Sequence, residues 1–468
     1  MKALRLGKKL AIVAIGLLLG LLILKIVLFL TAKPKIEVDY LAMINALSKP
    51  LDYDPNKDGF KYLTEASDLY TTKKAPLSGK TLWPNEMDEM DISVLKTWLA
   101  ANSDAFDAYK KAGESDYIWR KLKENSESNG NDSPKLWPEN EIDVRRCLFW
   151  HAKLKAFEGN FEATLENLLT AWRVGTKYAH PNYPLAIQTS ALLERQDVLD
   201  TAMDIVDVYR PPSADLGKWQ RQLQKQFELD SYIPGLEAEK LDCYDRIQRS
   251  FVHKSNGTGR VYWRYLREFV PPCEDTGILN MLLILIAGPT ESQVYARVDS
   301  MITRYKDLVI QPPWEIRYPE QQYVKFQETY NKMPGLFDYF VTPLHSFTIF
   351  YHRVKMRQDA LITILATLRF NTQYGRYPYN LGELVQEGLL TDLPRDPFSR
   401  GPLMYNQLDD DFELYSIGPD FSDDGGRHFQ GGNPLTGAPY GDEVFWPPLR
   451  KGRKNVKVLD MRTFDDIE

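Results

Sequence analysis

The residues with the clearest capacity for chemistry lie near the C-terminus, in Gly418-Pro419-Asp420-Phe421-Ser422-Asp423-Asp424-Gly425-Gly426. Asp420, Asp423 and Asp424 are hard oxygen donors, and the flanking glycines let the backbone turn tightly enough to add carbonyl oxygens, as a calcium loop requires. A solvated acidic turn is the other reading of the same residues. The six histidines, His151, His180, His253, His345, His352 and His428, form no H-E-x-x-H and no close pair at ligand spacing. Glu237, Glu239, Asp242 and Asp245 make an acidic helix face that either lies over a groove or is simply solvated. Cys147, Cys243 and Cys273 are far apart and odd in number; three small buried side chains is the favoured reading and one bridge the alternative. No G-x-S-x-G and no phosphate-cradling glycine loop occurs. Whether the protein is an enzyme stays open, with a non-catalytic role favoured.

The elements that must position the acidic loop begin at Ala360. Ala360–Tyr374 reads as a helix ended by Gly375 in the left-handed conformation, with Pro378 preventing its continuation. Leu381–Val385 makes a short further turn, and Leu393-Pro394-Arg395-Asp396-Pro397-Phe398 leads into strands around 403–406 and 412–416. The expected core of this unit is Leu361, Leu365, Leu368, Tyr405 and Phe412, with Tyr374 and Tyr377 sealing the helix against the sheet.

Upstream, the chain from Ile36 to His352 reads as helix after helix. Val144, Cys147, Leu148, Leu154 and Phe157, then Phe161, Leu165, Leu168 and Trp172, recur at helical spacing on either side of a Glu-Gly-Asn turn, predicting a hairpin. Further helices are expected at 185–208, 213–229, 236–251 and 291–308, punctuated by Pro211-Pro212 and Pro312-Pro313. The stretches 84–91 and 124–138 read as loops, and Ile278–Ala287 as a short buried helix. Ala156–Ala171 resembles one tetratricopeptide unit, with no second copy at that period.

The N-terminus places Lys2, Arg5, Lys8 and Lys9 before an apolar run, Leu10–Leu30, broken only by Lys25. About 20 apolar residues cross a bilayer as a helix, and the basic flank predicts a cytoplasmic N-terminus with the bulk of the chain exported. A cleaved signal peptide is the rival reading, but no small-x-small site follows the run. The net charge of −6 argues against a nucleic-acid surface. The expected domains are 1–36, basic tail and transmembrane anchor; 37–352, a large α-helical domain; and 353–468, a small α+β domain with an antiparallel sheet. The fold class is mainly α.

In order, the helix, Gly375-Arg376-Tyr377-Pro378, Leu393-Pro394-Arg395-Asp396-Pro397, strand pair and Ser416-Ile417-Gly418-Pro419-Asp420 text resembles the C-terminal domain of the major pseudopilins of type II secretion. The whole layout is similar to bacterial membrane-anchored helical proteins carrying that module. The resemblance implies a calcium ion in the acidic loop, with Asp420 as the first ligand and Asp442, in Gly441-Asp442-Glu443-Val444, closing the site. It departs from the family in Pro419, in the wider separation by Arg427–Pro439, and at the N-terminus, where Gly7-Lys8-Lys9-Leu10 lacks the aromatic residue and the glutamate that follow a pseudopilin cleavage glycine. A filament subunit is therefore not expected. The resulting expectation is a membrane-anchored, non-catalytic protein of the bacterial inner membrane, with the helical domain as a body that binds an envelope protein. The alternative is an envelope hydrolase with a site in a groove of the helical domain.

Overall fold

The computed structural model describes residues 32–70, 83–123, 140–230, 232–262, 288–316, 344–427 and 441–448, with Gly20 and Pro138 as isolated positions. The apolar run Leu10–Leu30 (Gly20 apart), most of the 124–138 loop, Ile278–Ala287, Cys273, His428 and the His345 side chain lie outside them. Among the described residues no helix is long and apolar enough to cross a membrane.

The described chain is mainly helical, with small antiparallel sheets. The helices are α1 (Tyr40–Ser48), α2 (Phe60–Leu69), α3 (Glu89–Ala101), α4 (Ser103–Glu114), α5 (Glu141–Phe157), α6 (Phe161–Tyr178), α7 (Leu185–Tyr209), α8 (Ser213–Leu229), α9 (Glu237–Ser250), α10 (Glu291–Tyr305), α11 (Pro313–Ile316), α12 (Leu344–Tyr374) and α13 (Leu381–Gln386). The strands are β1 (Phe251–Val252) and β2 (Arg260–Val261), then β3 (Met404–Gln407), β4 (Phe412–Ser416) and β5 (Glu443–Trp446).

The predicted hairpin is α5 and α6. Gly159 turns the chain at φ +75°, where a side chain would be strained, and Asn160 caps α6 by accepting from the Ala163 N–H at 3.0 Å. Two expectations needed correction. The 84–91 loop is shorter than its polar text suggested, because Asp88 accepts from the Asp91 N–H at 2.7 Å and starts α3 at Glu89. The all-helical middle is interrupted by the β1–β2 hairpin, whose two-residue strands are too short to show alternation.

The decisive element is α12. It runs 31 residues, beginning well before Ala360, so the expected boundary at 352/353 falls inside one continuous helix. It packs along α7 and α8 of the body and meets the sheet at β5. Leu361, Leu365 and Leu368 are buried as expected, chiefly between helices rather than across the sheet. Their text reads as a helix with a broad apolar face, and the body supplies more apolar surface to cover it than a three-stranded sheet does.

Gly375 ends α12 at φ +68°. The sheet has order β3-β4-β5, all antiparallel, with Leu414 opposite Tyr405 on one side and Trp446 on the other. Tyr377 and Trp446 sandwich Phe412, each with ring centroids 5.3 Å away. Tyr405 is only half-buried, its hydroxyl donating to Pro378 O at 2.8 Å. Tyr374 does not seal the sheet: it is 41 % exposed, stacked on Phe370 and bonded to Glu387.

Candidate functional site

The acidic loop is tied together by its own backbone. Asp442, just before β5, accepts from the N–H groups of Asp424 (3.2 Å), Gly426 (2.7 Å) and Arg427 (3.3 Å). Burial pushes its carboxyl up to about 6, against the three donors, which favour the charged form. Asp420 accepts from Ser422 N at 3.1 Å and Gly441 N at 2.9 Å; Asp423 accepts from Gly425 N at 2.9 Å and from the Tyr415 hydroxyl at 3.1 Å. Asp424 takes part through its backbone N–H. Among the described residues no three His, Cys, Asp or Glu side chains are grouped to hold a metal. The fold brings Asp420 and Asp442 to opposite ends of one turn and uses both as acceptors.

The remaining motif residues act as one network behind that loop. Asp396, from Leu393-Pro394-Arg395-Asp396-Pro397, is buried and accepts from Phe398 N (2.9 Å), Ser416 Oγ (2.8 Å) and Ile417 N (3.1 Å). Ser416 in turn accepts from Gly418 N at 3.1 Å. The prolines thus deliver a carboxylate to the end of β4, where the glycine loop begins.

The other acidic cluster is solvated at Glu237 and covered or paired at its other positions. Glu239 is fully buried and accepts from the Leu185 N–H at 2.8 Å, capping the start of α7. Asp242 and Asp245 pair with Arg246 and Arg249 one turn on, and Glu237 reaches Lys306 at 3.2 Å. The histidines among the described residues do not converge. His151 stacks on Phe106, His180 accepts from Asn182 N, and His253 lies between Glu37 and Glu291. Cys147 and Cys243 are buried free thiols.

One concavity of the described structure was not visible in the sequence. A groove of about 1320 Å³ lies where the body meets the C-terminal module, between the end of α8, the α11 turn, α12 and the 390–402 segment. Phe227, Met356 and Ile362 supply apolar lining, and Trp314 stands at one side. The Trp314 N–H donates to Pro397 O at 3.1 Å, and the Arg400 guanidinium lies 5.4 Å from its ring centre. Arg395, Arg400, Asp392 and Glu315 give the rim both signs of charge.

Five α12 residues with polar side chains line it, His352, Lys355, Gln358, Asp359 and Thr363. Lys355 is 3.4 Å from Asp230, which also pairs with the fully buried Arg195. Burial, with Arg195 adding repulsion, lowers the Lys355 ammonium to about 8. Asp359, one turn further on, opens to the groove, and the crowding walls raise it to about 6 against the pull of Lys355. Burial lowers the His352 imidazole to about 4. Gln358 borders the groove with its Nε2 buried and without a hydrogen-bond partner among the described residues. The signal that marks this face is Lys355 and Asp359, charged positions one turn apart in a helix that is otherwise largely covered.

Comparison of the chain with protein families, curated proteins and solved structures gave no match.

Proposed function

We propose that this is a membrane-anchored, non-catalytic protein of a bacterial cell envelope whose body and C-terminal module together hold an extended segment of a protein partner. The groove carries this reading. It has a volume of about 1320 Å³ and is lined by apolar, aromatic and oppositely charged groups, the mixture that a polypeptide presents. The order of motifs in the C-terminal module favours a partner in a secretion or pilus-like assembly. The basic flank before Leu10–Leu30 favours an inner-membrane anchor with the N-terminus in the cytoplasm and the groove on the exported side. The second reading, an envelope hydrolase, draws on Lys355 and Asp359, a cation and a carboxyl one turn apart whose ionisations are both displaced toward neutrality.

A photoreactive amino acid at Trp314 in the full-length membrane protein tests the favoured reading. One envelope partner should be captured from this position and not from Met90, which is 69 % exposed on α3, and Lys355→Ala with Arg400→Ala should weaken the capture. Equal capture from both positions would remove the groove as the binding surface, and turnover of a captured substrate would favour the hydrolase.

A further inference from the structure

Helix α1 buries Ile44 in the core but also turns an apolar face outward, where an ordinary surface helix is polar. Tyr40-Leu41-Ala42-Met43-Ile44-Asn45-Ala46-Leu47-Ser48 contains no charged residue, and its two polar positions after Tyr40 point inward. The Asn45 side chain donates to Leu122 O at 2.9 Å and accepts from Leu122 N at 2.7 Å. Ser48 accepts from the Trp119 indole at 3.3 Å. The outward positions are Ala42, Met43, Ala46 and Leu47, with Met43 47 % and Leu47 37 % exposed. Ile36 and Val38 before the helix and Leu51 after it, the last wholly exposed, extend the apolar surface. A surface helix normally places its apolar stripe inward and its polar one outward, and a continuous exposed apolar patch marks a contact with something apolar.

The position of α1 in the chain indicates what that is. Ile36 follows the last residue of the apolar run, Leu30, by six residues, and an extended chain covers at most about 3.5 Å per residue, or about 20 Å. If Leu10–Leu30 spans the bilayer, Ile36 cannot leave its surface layer by more than that distance. Lys33 and Lys35 are exposed beside the patch, and Glu37 and Asp39 are engaged locally, by Lys35 and by capping Ala42 N.

We infer that α1 lies in the headgroup layer of the membrane, with Met43, Leu47 and Leu51 reaching the acyl boundary. This rests on the anchor reading above. A helix held in this way buries its apolar face about 5–10 Å into the interface. It would also set the tilt of the whole body, because α1 is fastened to α9: Gln248 donates to Val38 O at 2.7 Å and accepts from the Glu37 and Val38 N–H groups.

The test uses the full-length chain in phosphatidylcholine–phosphatidylglycerol nanodiscs. Cys147, Cys243 and Cys273 are replaced by Ala, and Leu47→Cys carries an environment-sensitive fluorophore. A Tyr379→Cys control labels the C-terminal module, where Tyr379 is 67 % exposed. Nitroxide lipids should quench the Leu47 label, about twofold or more by a shallow nitroxide than by a deep one for a seat at the interface, and leave the Tyr379 label unaffected. Where the cysteine-free background does not fold, a photoreactive residue at Leu47 in the native background should crosslink to lipid. A Leu47 label quenched no more than the control, in a chain that resists alkaline extraction, overturns the inference and leaves the anchor standing. A chain that alkali removes overturns both. Protection of Leu47 that grows with protein per disc and not with nitroxide lipid assigns the face to a second copy and overturns the lipid assignment.

Discussion

The Ser416 hydroxyl donates to Asp396 Oδ1 across 2.8 Å, joining the end of β4 to the proline-bracketed segment that forms one wall of the groove. Asp396 takes three donors in all, two of them backbone N–H groups that the fold keeps from water. Replacing it by Ala leaves those donors without a partner, and each buried orphan costs about 1–3 kcal/mol. Asp396→Ala should therefore destabilise the chain by several times the roughly 1 kcal/mol expected for Ser416→Ala. The double variant should lose less than the sum, because the two share one bond. Chemical denaturation of the detergent-solubilised protein measures all three.

Glu443 on β5 joins sheet and helix by pairing with Arg353 at 2.6 Å and Arg357 at 2.8 Å. Burial alone would raise its carboxyl, but the two guanidiniums outweigh it and hold the group below its ordinary range. Glu443→Ala removes the carboxylate that two largely buried cations share, leaving Arg357 with Asp200 at 3.6 Å, and should cost about 3–5 kcal/mol, as for other half-removed buried pairs. A melting temperature within a degree or so of the parent would mean that the sheet does not depend on this junction.

The body carries its own pH dependence. Glu194 is fully buried, 2.5 Å from the Tyr109 hydroxyl and 3.4 Å from Arg145, with Glu141 3.2 Å from the same hydroxyl. Burial raises Glu194 to about 8, against the pull of Arg145 and with a further push from Glu141. The native state then holds a proton that the unfolded chain releases at ordinary carboxylate pH, so stability falls as pH rises from about 4.5 through about 8. Glu194→Gln, a neutral stand-in for the protonated acid, should flatten that part of the melting-temperature profile. An unchanged slope would place the proton elsewhere.

Calcium separates the two uses of the acidic loop. With Asp442 already accepting from three N–H groups, the expected melting temperature is the same in millimolar calcium and in chelator. Asp442→Asn should lower it in both, through the roughly 1–3 kcal/mol of stability lost with a disrupted buried acceptor. A shift that instead grows with free calcium and vanishes in Asp420→Asn would establish the ion site.

The parts of this fold that were legible in the sequence are those written in local signals. The Gly159 turn, the Gly375 stop and the paired prolines at 211–212 and 312–313 each fix a boundary through the conformations that Gly and Pro allow. The alternation of Phe412 and Leu414 marked β4, which the structure buries in full. What stayed hidden depends on which distant surface an element meets. The text at Arg353–Asp359 is as consistent with a wet helix as with a groove wall, because the packing of α12 on α7 and α8 is set by residues some 150 positions earlier. Likewise, Glu239 reads as a solvated acid until Leu185 N is seen to sit on it.

α12 has a mechanical consequence. At 1.5 Å per residue its 31 residues make a rod of about 46 Å, clamped by α7 and α8 along its length and by Glu443 where it crosses the sheet. A pull on the C-terminal module cannot be absorbed by a swivel between two domains. It meets one continuous helix, on which Lys355 is held 3.4 Å from Asp230 of the body, rather than a linker.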